Sequence, residues 1–204
     1  MHISEGVLSA PVLATGAILS LGGLSLGLKK LSTQQMPLAA MLAAAFFVAS
    51  LVHVPIGPSQ AHLVLNGVLG IILGWVSFPM IFVGLVLQAM LFQFGGFTAL
   101  GVNTFNMALP ALICGLCFHR AVQSPQWRFI AGFAAGFFGI LLSGIRVAVS
   151  LYFSGDELLS VAGLILTAHL PIALVEGLIS ALLVSYLGKV KPGLLKWSEF
   201  DDSN

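Results

Sequence analysis

Long apolar runs separated by short polar breaks set the pattern of this chain. Runs near 8–28, 36–54, 62–77, 79–93, 104–121, 129–152 and 160–188 each come close to the roughly 20 residues that a membrane-spanning helix needs. The breaks read "KKLSTQQMP", "HVPIGPSQ", "FGGFTALGVN", "QSPQW" and "SGDE", and they carry the Gly, Pro, Ser and Asn of turns. The third and fourth runs are short and meet around Pro79. Short alternating segments of the outer-membrane barrel type are absent. The pattern predicts an all-α integral membrane protein of about seven transmembrane helices, forming one domain over 1–204.

Composition agrees with this reading. Apolar residues make up 58% of the 204 positions and charged residues 7%, with a mean hydropathy of +1.06. A soluble domain carries about 25% charged residues, so this chain cannot clothe a water-facing surface. A net charge of +1 gives no reason to expect nucleic acid as a partner. Cys114 and Cys117, inside "LPALICGLCFHR", lack the second pair that a zinc site needs and read as small core residues. No basic region precedes the first run, because the first lysine is Lys29; a cleavable signal peptide is not expected. The bulk of His2 disfavours removal of Met1.

Charge fixes an expected orientation. Seven spans with an external N-terminus place Lys29, Lys30, Arg120, Arg128, Lys189, Lys191 and Lys196 on the cytoplasmic side. Glu5, Asp156 and Glu157 then lie outside with no basic neighbour, and only Arg146 remains within a helix. This satisfies the positive-inside rule, and it predicts a multi-pass protein of a bacterial or archaeal cell membrane with its C-terminus in the cytoplasm. It also gathers His2, the loop bearing His53 and His62, and the Gly-rich loop at 94–103 on one external face.

His2 brings chemistry to that face. A free amine at Met1, the His2 amide nitrogen and His2 Nδ1 form two fused chelate rings with three nitrogens in one plane. One outside imidazole completes a square. Planar nitrogen coordination suits Ni(II), Cu(II) or Co(II), whereas Zn(II) prefers a tetrahedron and Mg or Ca prefers oxygen. Because the amine and the amide must both lose protons, binding weakens as pH falls. His62, read as opening a helix that Ser59 caps, and His53, near the end of the preceding helix, both offer the fourth nitrogen.

Four stretches carry a family resemblance. "MHISEG", "PIGPSQAHL", "QAMLFQFGGFTALGVNTFNMA" and "HLPIALVEGLISA" resemble motifs of the substrate-binding membrane subunits of cobalt and nickel energy-coupling-factor transporters, the CbiM/NikM family. The resemblance implies a seven-helix component that captures Ni2+ or Co2+ as transported substrate, with no organic cofactor. It maps the metal ligands to Met1, His2 and His62, and leaves His53 as an alternative. The chain has no Walker A motif and is not itself an enzyme. The implied partners are a transmembrane coupling subunit, two ATPase subunits and a small auxiliary membrane subunit.

Other residues take supporting roles in this reading. Gln88, Gln93, Asn103 and Asn106 are polar groups suited to orienting a metal-bound imidazole. Gly95, Gly96 and Gly101 permit a tight turn, either covering the site or simply joining two helices. His169 and Glu176 are two helical turns apart, and Glu176 and Arg146 are intramembrane ionisable groups, read as structural before functional. Alanines four apart (Ala39 and Ala43, Ala40 and Ala44) allow close helix approach, to a partner subunit or within the chain. The rival readings are a stand-alone metal channel and an intramembrane enzyme using His169 and Glu176. The first lacks a polar pathway, and the second lacks a nucleophile or second carboxylate.

Overall fold

A computed structural model describes residues 2–56, 59–155 and 159–197. Its helices are α1 (Ala10–Lys29), α2 (Met36–Ala49), α3 (Asn66–Leu73), α4 (Ser77–Phe92), α5 (Leu100–Gln123), α6 (Arg128–Tyr152) and α7 (Leu159–Val190). Single 3-10 turns cover Gly74–Val76 and Pro192–Leu195. The chain is a multi-pass membrane protein. Five segments are long and apolar enough to cross a bilayer: Ala10–Lys29, Asn66–Phe92, Leu100–Gln123, Arg128–Tyr152 and Gly163–Val190.

The second of these segments is not one rod. A continuous helix from His62 to Gln88 would hold its ends about 39 Å apart at 1.5 Å per residue. Both residues instead touch His2, so the chain folds back at Gly74, whose φ of 53° suits glycine. Trp197 packs over that turn.

Two expected boundaries are corrected. The helix expected over 36–54 ends at Ala49, and His53–Ile56 and Ser59–His62 form an antiparallel hairpin, β1 and β2. Pro55 and the β-branched residues around it favour extended backbone, so the chain is not all-α. The helix expected to open at His62 starts four residues later, at Asn66. Ser59 pairs with Ile56 in the hairpin instead of capping a helix.

Side-chain size decides how the helices pack. In α1 the buried positions are Gly16, Ser20, Gly23 and Gly27, while Ile18, Leu21 and Leu28 are exposed. Such a helix presents small residues to its neighbours and large apolar ones to lipid. All eight residues of α3 are buried. Its glycines meet backbone: a Cβ on Gly70 would run into the Ala111 carbonyl of α5, and one on Gly67 into Gly136 of α6. Helix α6 also lays Gly132 and Gly136 against Ala181 and Ser180 of α7.

A helix buried this deeply must have its end groups satisfied by protein. Helix α3 has no capping side chain of its own. The Val64 and Leu65 N–H groups donate to the Glu176 carboxylate of α7, at 3.0 Å to each oxygen for Leu65. Near the other end, Trp197 Nε1 donates to the Ile71 carbonyl at 2.8 Å and its ring stacks on His119. Arg128 likewise closes α5 by donating to the Val122 and Gln123 carbonyls. The bundle thus has one end with His2, His62 and the loop at 94–99, and an opposite end carrying Lys29, Arg128, Lys189 and Trp197.

Candidate metal centre

The N-terminal segment is built into the bundle. Ile3 is fully buried, and the Asn103 side-chain amide takes both of its backbone groups. Ile3 N–H donates to Asn103 Oδ1 at 2.9 Å, and Asn103 Nδ2 donates to the Ile3 carbonyl at 3.1 Å. Two residues on, the Glu5 carboxylate accepts from the Thr98 N–H at 3.1 Å. Gly95 and Gly96, with φ of 81° and 101°, lay the loop after α4 directly on this segment. A Cβ at Gly95 would come within 2.8 Å of Asn103 Nδ2 and 3.3 Å of the His2 ring, and one at Gly96 within 2.9 Å of Glu5. The loop covers His2.

His2 is buried, and its ring stacks on that of His62 with centroids 4.6 Å apart and planes 25° from parallel. A chain of hydrogen bonds settles which of its nitrogens carries the proton. Ser50 Oγ donates to the Phe47 carbonyl at 2.6 Å, so it accepts from Gln88 Nε2, also at 2.6 Å. The Gln88 carbonyl oxygen must then face His2 Nε2, 2.6 Å away, and Nε2 donates to it. His2 Nδ1 therefore keeps its lone pair, the nitrogen that a chelate through the chain terminus requires.

His62 is in the complementary state. Its Nδ1 donates to the Leu63 carbonyl at 2.8 Å, leaving the lone pair on Nε2, which is buried without a hydrogen-bond partner. Burial, reinforced by the neighbouring His2, holds the His62 imidazole neutral well below its ordinary pKa. Hairpin pairing places His53 opposite His62; its side chain lies outside the described residues, as does Met1. Among the described residues no cluster of three or more His, Cys, Asp or Glu side chains forms a metal site.

The remaining residues singled out from sequence are dispersed. Gln93 is exposed and ends α4 in left-handed backbone. Asn106 bonds Ser150 of α6 at 3.0 Å, away from the imidazoles. Glu176 is occupied by the amides before α3 and does not meet Arg146, whose guanidinium lies 4.9 Å over the Phe105 ring. His169 donates from Nδ1 to the Ile165 carbonyl at 2.6 Å, and its Nε2 is buried without a partner. Ala39 and Ala43 are buried on α2, whereas Ala40 and Ala44 face outward; the first pair is internal packing and unavailable to a partner. Sequence reasoning missed Ser50, which sets the Gln88 amide, and Ile3, the anchor beside His2. A lone serine closing "AAAFFVAS" was the only signal for the former.

Known proteins match this chain across most of its length. Residues 2–194 match the family model "CbiM: Cobalt uptake substrate-specific transmembrane region". A Haemophilus influenzae protein assigned provisionally to metal transport is 40% identical over 98% of both chains. The fused nickel transport protein NikMN of Rhodobacter capsulatus is 32% identical over 96% of this chain and 64% of its own. A crystal structure of a transition metal transporter superposes with a TM-score of 0.82 at 30% identity, covering 93% of each chain. This chain belongs to the CbiM family of cobalt and nickel transport proteins.

Proposed function

We propose that the chain is the substrate-capture subunit of an energy-coupling-factor importer, taking Ni2+ or Co2+ from outside the cell. The metal is held in a near-square set of nitrogens: the Met1 amine, the His2 amide nitrogen, His2 Nδ1 and His62 Nε2. The observation that carries this reading is the buried pair of imidazoles whose protons are both committed elsewhere, one to Gln88 and one to the Leu63 carbonyl. With metal–nitrogen bonds of about 2 Å, rings on adjacent corners of a square have centroids about 4.4 Å apart. The 4.6 Å between His2 and His62 is compatible with that. Relatives named for cobalt and for nickel make both ions candidates.

In this reading the bundle makes seven crossings, counting α3 and α4 separately, with the His2 end outside and the basic end in the cytoplasm. The outward pair Ala40 and Ala44 then offers a close-packing stripe to the coupling subunit. Two ATPase subunits supply the energy, and a small auxiliary membrane subunit completes the assembly. Binding of Ni2+ and Co2+ to the chain with a free Met1, compared with a version extended by one residue, tests the chelate. Loss of tight binding on extension is expected; equal affinity would remove the terminal amine from the site.

A further inference from the structure

A second site lies on the flank of the bundle. Arg146, Asn106, Ser150 and Thr15 border a cleft of about 370 Å³ between α1, α5 and α6, otherwise lined by apolar groups such as Val12, Leu19 and Val149. Among the described residues the Arg146 guanidinium meets no carboxylate, and its Nε is buried without a hydrogen-bond partner. The Phe105 ring lies beneath it, 4.9 Å from the guanidinium carbon. The polar groups nearby are already engaged: Asn106 with Ser150, and Ser150 with the Arg146 carbonyl. An uncompensated cation inside a membrane protein is costly unless a counter-charge reaches it.

Depth says what that counter-charge is. Arg146 is six residues from the end of α6 at Tyr152, about 9 Å along the helix. Tyr152 and Phe153, both exposed, mark the interface there, where aromatic residues concentrate. The guanidinium thus sits just under the headgroups of the leaflet at the His2 end. Phosphodiester groups are the abundant anions at that depth, and guanidinium binds them with paired hydrogen bonds. The apolar wall formed by α1 continues from the cation into the acyl region.

We infer that this cleft is a phospholipid site, with Arg146 holding the phosphodiester and Val12, Leu19 and Val149 the start of an acyl chain. An occupant bridging α1 to α6 would also steady the segment leading to His2, because Ser9 N–H, two residues before Pro11 of the cleft, already donates to Ser154 Oγ, one residue after its Phe153. The inference rests on membrane insertion alone and is independent of the metal chelate.

Native mass spectrometry of the delipidated full chain tests it, with phosphatidylglycerol and diacylglycerol added back separately. Wild type is expected to hold one phosphatidylglycerol, and Arg146→Met to lose occupancy by at least about tenfold. Arg146→Lys should retain part of it, and circular dichroism should show both variants as helical as wild type. Equal occupancy in Arg146→Met, or diacylglycerol binding as well as phosphatidylglycerol, would overturn the site. A benzoylphenylalanine at Leu19 in native membranes should crosslink to lipid. Crosslinking to a protein instead would assign the cleft to a partner helix and refute the lipid reading.

Discussion

Gln88 and His2, 86 positions apart in sequence, share a hydrogen bond of 2.6 Å that fixes the protonation of a buried imidazole. Its direction is set one step further out, by Ser50, whose hydroxyl proton goes to the Phe47 carbonyl. Replacing Gln88 by Leu removes the acceptor for Nε2–H and frees the ring to take the other tautomer. Outer partners of metal-bound histidines typically contribute 10- to 100-fold to affinity, so Ni2+ or Co2+ binding by Gln88→Leu should weaken by about that factor in calorimetry. Ser50→Ala should have a smaller effect in the same direction.

Asn103 does a different job, holding the main chain of Ile3. Asn103→Asp keeps the acceptor for the Ile3 N–H and loses the donor to its carbonyl. We expect the N-terminal segment to detach more often, seen as faster trimming of residues 1–4 by an aminopeptidase. Asn103→Leu should trim faster still. Unchanged trimming in both would show that Ile3 burial alone anchors the segment.

Gly95→Ala puts a methyl 2.8 Å from Asn103 Nδ2 at a φ of 81°. Left-handed backbone costs a non-glycine residue about 1–2 kcal/mol, and the contact adds to it. Faster metal release is the expected outcome, measured by chelator competition, because the loop that covers His2 is lifted.

Glu176 stabilises the start of α3 through the Val64 and Leu65 amides. Leaving buried donors unsatisfied costs about 1–3 kcal/mol each, so Glu176→Leu should lower the thermal midpoint in detergent markedly. Glu176→Gln, which retains one acceptor oxygen, should fall between. A variant as stable as wild type would mean that another group or water takes over those amides.

The pH profile separates the nitrogens. On the proposed chelate the His2 amide releases a proton at every pH, and the Met1 amine releases a second below its free pKa of about 7.7–8.0. Affinity should therefore fall about tenfold per unit above that range and about a hundredfold per unit below it. Burial keeps the His62 imidazole neutral in the folded chain, so it should not add a third proton near pH 6.5. The unfolded chain does take up that proton, so stability of the metal-free protein should decline as pH falls below about 6.5. A threefold proton dependence of metal binding near pH 6.5 would show that His62 titrates in place.

Sequence by itself determined the class and the family. Its apolar runs and scarcity of charge required a multi-pass membrane protein, and the His2 terminus together with four motif stretches pointed to metal capture by a CbiM relative. Local patterns are sufficient there, because solvation by lipid and the residues of a motif are properties of short segments. Tertiary structure decided what depends on distant partners. His62 is extended because it pairs with His53 in the hairpin, and Glu176, more than a hundred residues later, takes the Val64 and Leu65 amides that lead into α3. Sequence likewise put Asn103 and Asn106 in one group, and packing sent the first to Ile3 and the second to Ser150. Three positions apart, the two asparagines are neighbours one turn apart on the buried face of α5, and only the elements packed there assign each amide its partner.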